Sequence, residues 1–133
     1  MTAADTLIRR VDRSMKALIP PSLRVAKRAL GAWQQCEPEL HLLPRLVVPG
    51  AAALDVGANG GVYAWHMARF TGTVVAFEPN PAHAAFLARA FGPRVRVEAV
   101  ALSDRDGEAV LRVPLARFED GRATIEAGND LGQ

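Results

Sequence analysis

Residues 54–61 read Leu54-Asp55-Val56-Gly57-Ala58-Asn59-Gly60-Gly61, and how that stretch is parsed decides the fold. The apolar run Ala51 to Leu54 leads into it, and a helical pattern from Val62 to Phe70 leaves it. The parse is a strand, a glycine-rich turn and a helix. A second apolar run, Val74-Val75-Ala76-Phe77, ends on Glu78, twenty-one residues after Gly57. A glycine turn closing one strand and an acid closing the next is the layout of a nucleotide-type cofactor site. The chain must turn sharply there, and a ligand must reach the backbone with no Cβ in its way. Gly57 and Gly61 are expected to meet those needs. The N–H groups opening the next helix would then face a negative group of the ligand.

Downstream, strand and helix alternate. Thr73 to Phe77 is apolar at nearly every position, the pattern of a parallel strand covered on both faces. Asn80 is a good N-cap, and Pro81 suits the first helical position because its missing N–H has no partner there anyway. The predicted helix runs from Pro81 to about Phe91 and stops at Gly92-Pro93. A third strand is expected over Val95 to Leu102. This β-α-β-α-β order with short connections predicts right-handed crossovers and a Rossmann-like parallel sheet. Beyond Ser103 the pattern is a turn at Asp106-Gly107, a short strand from Glu108 to Val113, another over Thr124 to Glu126, and loop at 128–130.

Upstream lies a basic helical arm, residues 1–50, with Pro49-Gly50 as its boundary with the domain at 51–133. Residues 1–30 carry seven basic side chains against two acidic ones, a balance of +5, while the remainder is −3. Leu7, Val11, Met15 and Leu18 recur at helical spacing, with Ile8 and Ile19 beside them. The favoured reading is a helix packed on the body with its charges in water. A weak membrane-surface contact is the functional alternative. No nucleic acid is expected, because no stacking aromatics interleave the basic residues. Pro20-Pro21 should end the first helix. A second is expected from Ser22 to Trp33 or Cys36, with Trp33 in the core. A short third covers Glu37 to Val47, limited by Pro44.

The 133 residues suffice for one core, and 50% hydrophobic with 23% charged residues is the balance of a soluble globular domain. No apolar run nears the ~20 residues that span a bilayer. The N-terminus has no signal-peptide pattern. The single cysteine, Cys36, has no partner for an internal disulfide, so a reducing, cytoplasmic setting is expected.

Two ligand classes compete for the turn. Dinucleotide sites show G-x-G-x-x-G, which Gly57, Gly60 and Gly61 do not match. Asp55, at the mouth of the turn, would repel a pyrophosphate. It would suit S-adenosylmethionine, which carries an ammonium and a sulfonium. Glu78 would accept hydrogen bonds from ribose hydroxyls in either class. The bland alternative is a tight connection with no ligand, with Asp55 a helix cap or a salt-bridge partner.

These residues resemble a known family. Asp55-Val56-Gly57-Ala58-Asn59-Gly60-Gly61 resembles the D-V-G-A-N-x-G turn of the FkbM-type methyltransferases. Phe77-Glu78-Pro79-Asn80-Pro81 resembles their F-E-P-N-P segment, and Ala101-Leu102-Ser103-Asp104 with Asp106-Gly107-Glu108 is similar to their A-L-S-D-x-x-G-E stretch. The likeness covers roughly residues 37 to 128. It implies a class I methyltransferase fold and methyl transfer from S-adenosylmethionine to a hydroxyl oxygen of a small molecule or glycan. By resemblance, Asp55, Gly57, Asn59 and Gly61 line the methionine end. Glu78 holds the ribose, and Leu102 and Ser103 lie near the adenine. Such folds order seven strands 3-2-1-4-5-7-6, and this chain supplies the 3-2-1 half. The family's later K-I-D-V-E-G-like segment is absent, so the expectation is a fragment or a partial domain completed by another chain. Its first strand would then be an apolar edge.

Other polar groups point nowhere specific. His41, His66 and His83 have no ligand spacing and read as surface or helix-face residues. Asp104, Asp106 and Glu108 read as a turn into a strand rather than a calcium loop. No catalytic base and no metal ligand is assigned, and no Ser-His-Asp set is present. Three functional expectations follow. The first is the cofactor half of a methyltransferase. The second is an NAD(P)-binding module of an oxidoreductase. The third is a non-catalytic remnant that uses the arm to meet a partner.

Overall fold

The structure, a computed structural model, describes residues 18–34 and 38–112 and the backbone of 124–127. The predicted stripe at Leu7, Ile8, Val11 and Met15 lies outside these residues, as do Cys36, Glu37 and the loop at 128–130.

Helix α1, Pro21–Gln34, starts just after the expected proline break. It buries Val25 and Ala29, one turn apart, and presents Leu23 and Leu30 to solvent. A 3₁₀ turn, Pro38–Leu42, and a short α2, Leu43–Leu46, follow. Pro44 falls in the first turn of α2, where its missing N–H leaves no bond unmade.

Strand β1 is Ala52–Val56, so Asp55 lies within the strand rather than at its mouth. Pairing decides this: β1 runs parallel to β2, Thr73–Phe77, in register from Ala52↔Thr73 to Val56↔Phe77. Between them α3 spans only Val62–Met67, and the rest of the expected helix is a turn. The Thr71 hydroxyl donates to the Ala51 carbonyl at 2.6 Å and ties that turn to the foot of β1.

Helix α4, Pro81–Phe91, matches its predicted span. The Asn80 side chain accepts from the Ala82 N–H at 3.0 Å, and Gly92 ends the helix at φ 55°. A 3₁₀ turn, Gly92–Arg94, leads to β3, Arg96–Glu98, which is parallel to β2 and far shorter than the expected Val95 to Leu102. The Glu98 carbonyl accepts the Glu78 N–H at 3.0 Å, and the parallel pairing ends there. Finally β4, Ala109–Arg112, pairs antiparallel with β5, Thr124–Ala127.

The protein is therefore α/β, with a three-stranded parallel sheet ordered β1-β2-β3. The core lies on one face of that sheet. Val74, Ala76 and Val95 pack there with Ala58, Ala64, Leu87, Phe91 and, from α1, Val25. Val25 of α1 thus shares one core with the sheet. Arg24 on α1 stacks over the Phe86 ring of α4 at 4.8 Å. The other face differs from the two-sided burial expected for β2. Leu54 and Val56 are exposed, and Val75 and Phe77 are only partly covered. No helix among the described residues is long and apolar enough to cross a membrane.

Candidate cofactor site

Because Val56 pairs with Phe77, the residues that follow them, Gly57 and Glu78, emerge side by side at the carboxyl ends of β1 and β2. The turn folds across the end of β2: the N–H groups of Gly57 and Ala58 both donate to the Phe77 carbonyl, at 2.9 and 3.0 Å. It then reverses through three left-handed residues, Gly57 at φ 80°, Asn59 at φ 43° and Gly61 at φ 76°. Asparagine tolerates that region better than most side chains, which accounts for Asn59 between glycines.

Glu78 is the residue that fixes the turn. It is 5% exposed, and its Oε2 accepts from the Asn59 N–H at 2.6 Å while Oε1 accepts from the Asn80 N–H at 2.8 Å. One carboxylate thus joins the glycine turn after β1 to the loop after β2. An ionised carboxylate offers about four lone-pair directions, so two such bonds leave acceptor capacity for a ligand's hydroxyls.

Asp55 points into the core-side layer, 8% exposed, and its Oδ2 accepts from the Ala64 N–H at 2.8 Å. Ala64 is the third residue of α3, so Asp55 satisfies one of the four N–H groups that a helix start leaves without partners. Burial pushes its carboxyl above the ordinary value of 3.8; the Ala64 N–H opposes this, and the nearby Glu78 adds to it. The capping alternative for Asp55 is thus realised, and α3, at six residues, offers little dipole to a ligand.

The glycines separate by what a side chain would meet. At Gly57 a Cβ would enter open space, so the turn is accessible there. At Gly61 it would meet Leu87 Cδ2 at 2.7 Å and the Phe91 ring at 3.1 Å, so the absence of a side chain there permits close packing of the turn on α4. At Gly60 it would collide with the Arg28 guanidinium. Leu102 and Ser103, expected near an adenine, lie in exposed chain beyond the end of β3, where the Ser103 hydroxyl donates to Asp104 at 3.1 Å.

Two participants escaped the sequence. Arg28 reaches the turn from α1, a contact between segments that no local pattern links. His66, read as a surface or helix-face residue, is 4% exposed and holds α3 to α1: its Nε2 is 3.1 Å from the Ala29 carbonyl, between the rings of Trp33 and Trp65. Burial lowers its pKa from the ordinary 6.5 despite that bond, and Arg69 and His41 push the same way. His41 is exposed beside Trp33.

Compared with protein-family models, with curated proteins and with solved structures, the chain matches none.

Proposed function

We propose that the turn between β1 and α3 binds S-adenosylmethionine and that the chain is the cofactor-holding part of a methyltransferase of the FkbM type. The observation that supports this most is the bond from the Asn59 N–H to Glu78 Oε2. It draws the glycine turn and the acid of the neighbouring strand into one site at the carboxyl ends of a parallel sheet, where α/β folds bind their ligands. The residues present fit the donor. Gly57 leaves open space over the backbone, and Glu78 retains acceptor capacity for ribose hydroxyls and a carboxylate that suits a ligand bearing an ammonium and a sulfonium. When bound, S-adenosylmethionine supplies an electrophilic methyl group. The chain's own contribution is to hold and orient it. The acceptor in this reading is a hydroxyl of a small molecule or glycan, and the setting is the cytoplasm.

A dinucleotide is the second reading, and one observation favours it: Asp55 is buried and its carboxyl is pushed toward the neutral form, which mutes repulsion of a pyrophosphate. The same geometry counts against it. A pyrophosphate sits on the N–H groups of the helix start, and at α3 the Ala64 N–H is already held by Asp55. Titration calorimetry of residues 1–133 with S-adenosylmethionine and with NAD separates the two. The expected result is heat with the methyl donor, lost in Glu78→Ala, and none with NAD. NAD binding without donor binding overturns the proposal.

A further inference from the structure

We propose that Arg28 is the counter-ion for the carboxylate at the amino-acid end of the bound donor, an inference that rests on the functional reading above. The guanidinium lies directly on the turn. A Cβ added at Gly60 would collide with its Nη1 and would come within 2.7 Å of Cδ and 2.9 Å of Cζ. Just before Gly60 in the same turn, Gly57 and Asn59 are exposed. Arg28 has no hydrogen-bond or ion-pair partner among the described residues.

The charge inventory of the site shows what this cation does. The charged side chains built into the turn, Asp55 and Glu78, are both acceptors. Neither offers a positive charge to the ligand's carboxylate, and the Glu78 carboxylate would repel it. A zwitterion seated there needs one cation, and α1 delivers it. Arg24, one turn earlier, is engaged over Phe86, which leaves Arg28 as the α1 side chain against the turn. A guanidinium presents paired donors that match a carboxylate, which an ammonium does not. Gly60 also gains a reason: a side chain there would displace the guanidinium. Helix α1 is thereby part of the site, and the selectivity it confers is for a nucleoside carrying an amino-acid carboxylate.

The test is calorimetry of the full chain with S-adenosylmethionine and with its decarboxylated analogue, for the wild type, Arg28→Gln and Arg28→Lys, with circular dichroism as the folding control. The wild type is expected to prefer the carboxylated donor by roughly tenfold or more, the scale of one charge-assisted hydrogen bond. Arg28→Gln should abolish that preference by weakening S-adenosylmethionine alone, and Arg28→Lys should restore part of it. If the wild type binds the donor and Arg28→Gln weakens both ligands equally or neither, the assignment of Arg28 is overturned while the donor site stands. If the wild type binds neither ligand, the functional reading falls and this inference falls with it.

Discussion

Asp55 carries a charge and a hydrogen bond, and the two can be pulled apart. Its Oδ2 holds the Ala64 N–H, yet its charge is buried. Asp55→Asn keeps an oxygen for the N–H and removes the charge. Asp55→Ala removes both. Losing a capping acceptor costs about 1 kcal/mol, so urea unfolding should show Asp55→Ala destabilised by roughly that amount. Asp55→Asn should equal or exceed the wild type, because a carboxyl pushed above its ordinary value of 3.8 is one whose ionised form the fold disfavours. Equal destabilisation by the two substitutions would mean that the charge itself is required. Glu78 does not divide in this way, since both of its oxygens hold backbone N–H groups of different loops.

Elements meet where α1 crosses α3, and the meeting buries a titratable side chain. His66 lies there against the Ala29 carbonyl, flanked by Trp33 and Trp65, with Arg69 and His41 also disfavouring its protonated form. Its pKa is lower in the fold than the 6.5 of the open chain, so the native state binds fewer protons than the unfolded one below that value. Its contribution is complete above pH 6.5 and is lost as pH falls from 6.5 through the lowered native value. Unfolding by urea at pH 7.5 and 5.5 should therefore show lower stability at 5.5, with a smaller difference in His66→Gln. An unchanged difference would clear His66 of the effect. What is legible of these elements in the sequence follows from punctuation. Asn80, Pro81 and Gly92 fixed both ends of α4, since a cap, a proline and a left-handed glycine act locally. β1 ran two residues past its expected end and β3 stopped four short, because strand length is set by the neighbour each strand finds. The Glu78-to-turn pairing was legible from spacing. Arg28 on Gly60 and His66 under α1 were not, being contacts of tertiary packing alone.

At the scale of the molecule, the sheet is covered on one side. Helices α1, α3 and α4 bury Val74 and Ala76, while Leu54 and Val56 point the other way at 55% and 62% exposure. Among the described residues β1 has a single neighbour, β2, so its outer N–H and C=O groups form an open edge beside that apolar face. Parallel strands are normally covered on both faces, and an apolar edge is a site of non-specific pairing. Lysine is a common guard for such edges, and at exposed positions a substitution usually changes stability by no more than about 0.5 kcal/mol. The double variant Leu54→Lys, Val56→Lys should accordingly unfold at the same urea midpoint as the wild type and scatter less light on heating. Neither position carries a side-chain hydrogen bond to the turn, and the Glu78 staple uses backbone of Asn59 and Asn80, so the donor binding proposed for the turn is expected to be the same in that variant as in the wild type. A large fall in the midpoint would mean that this face is covered in the folded protein.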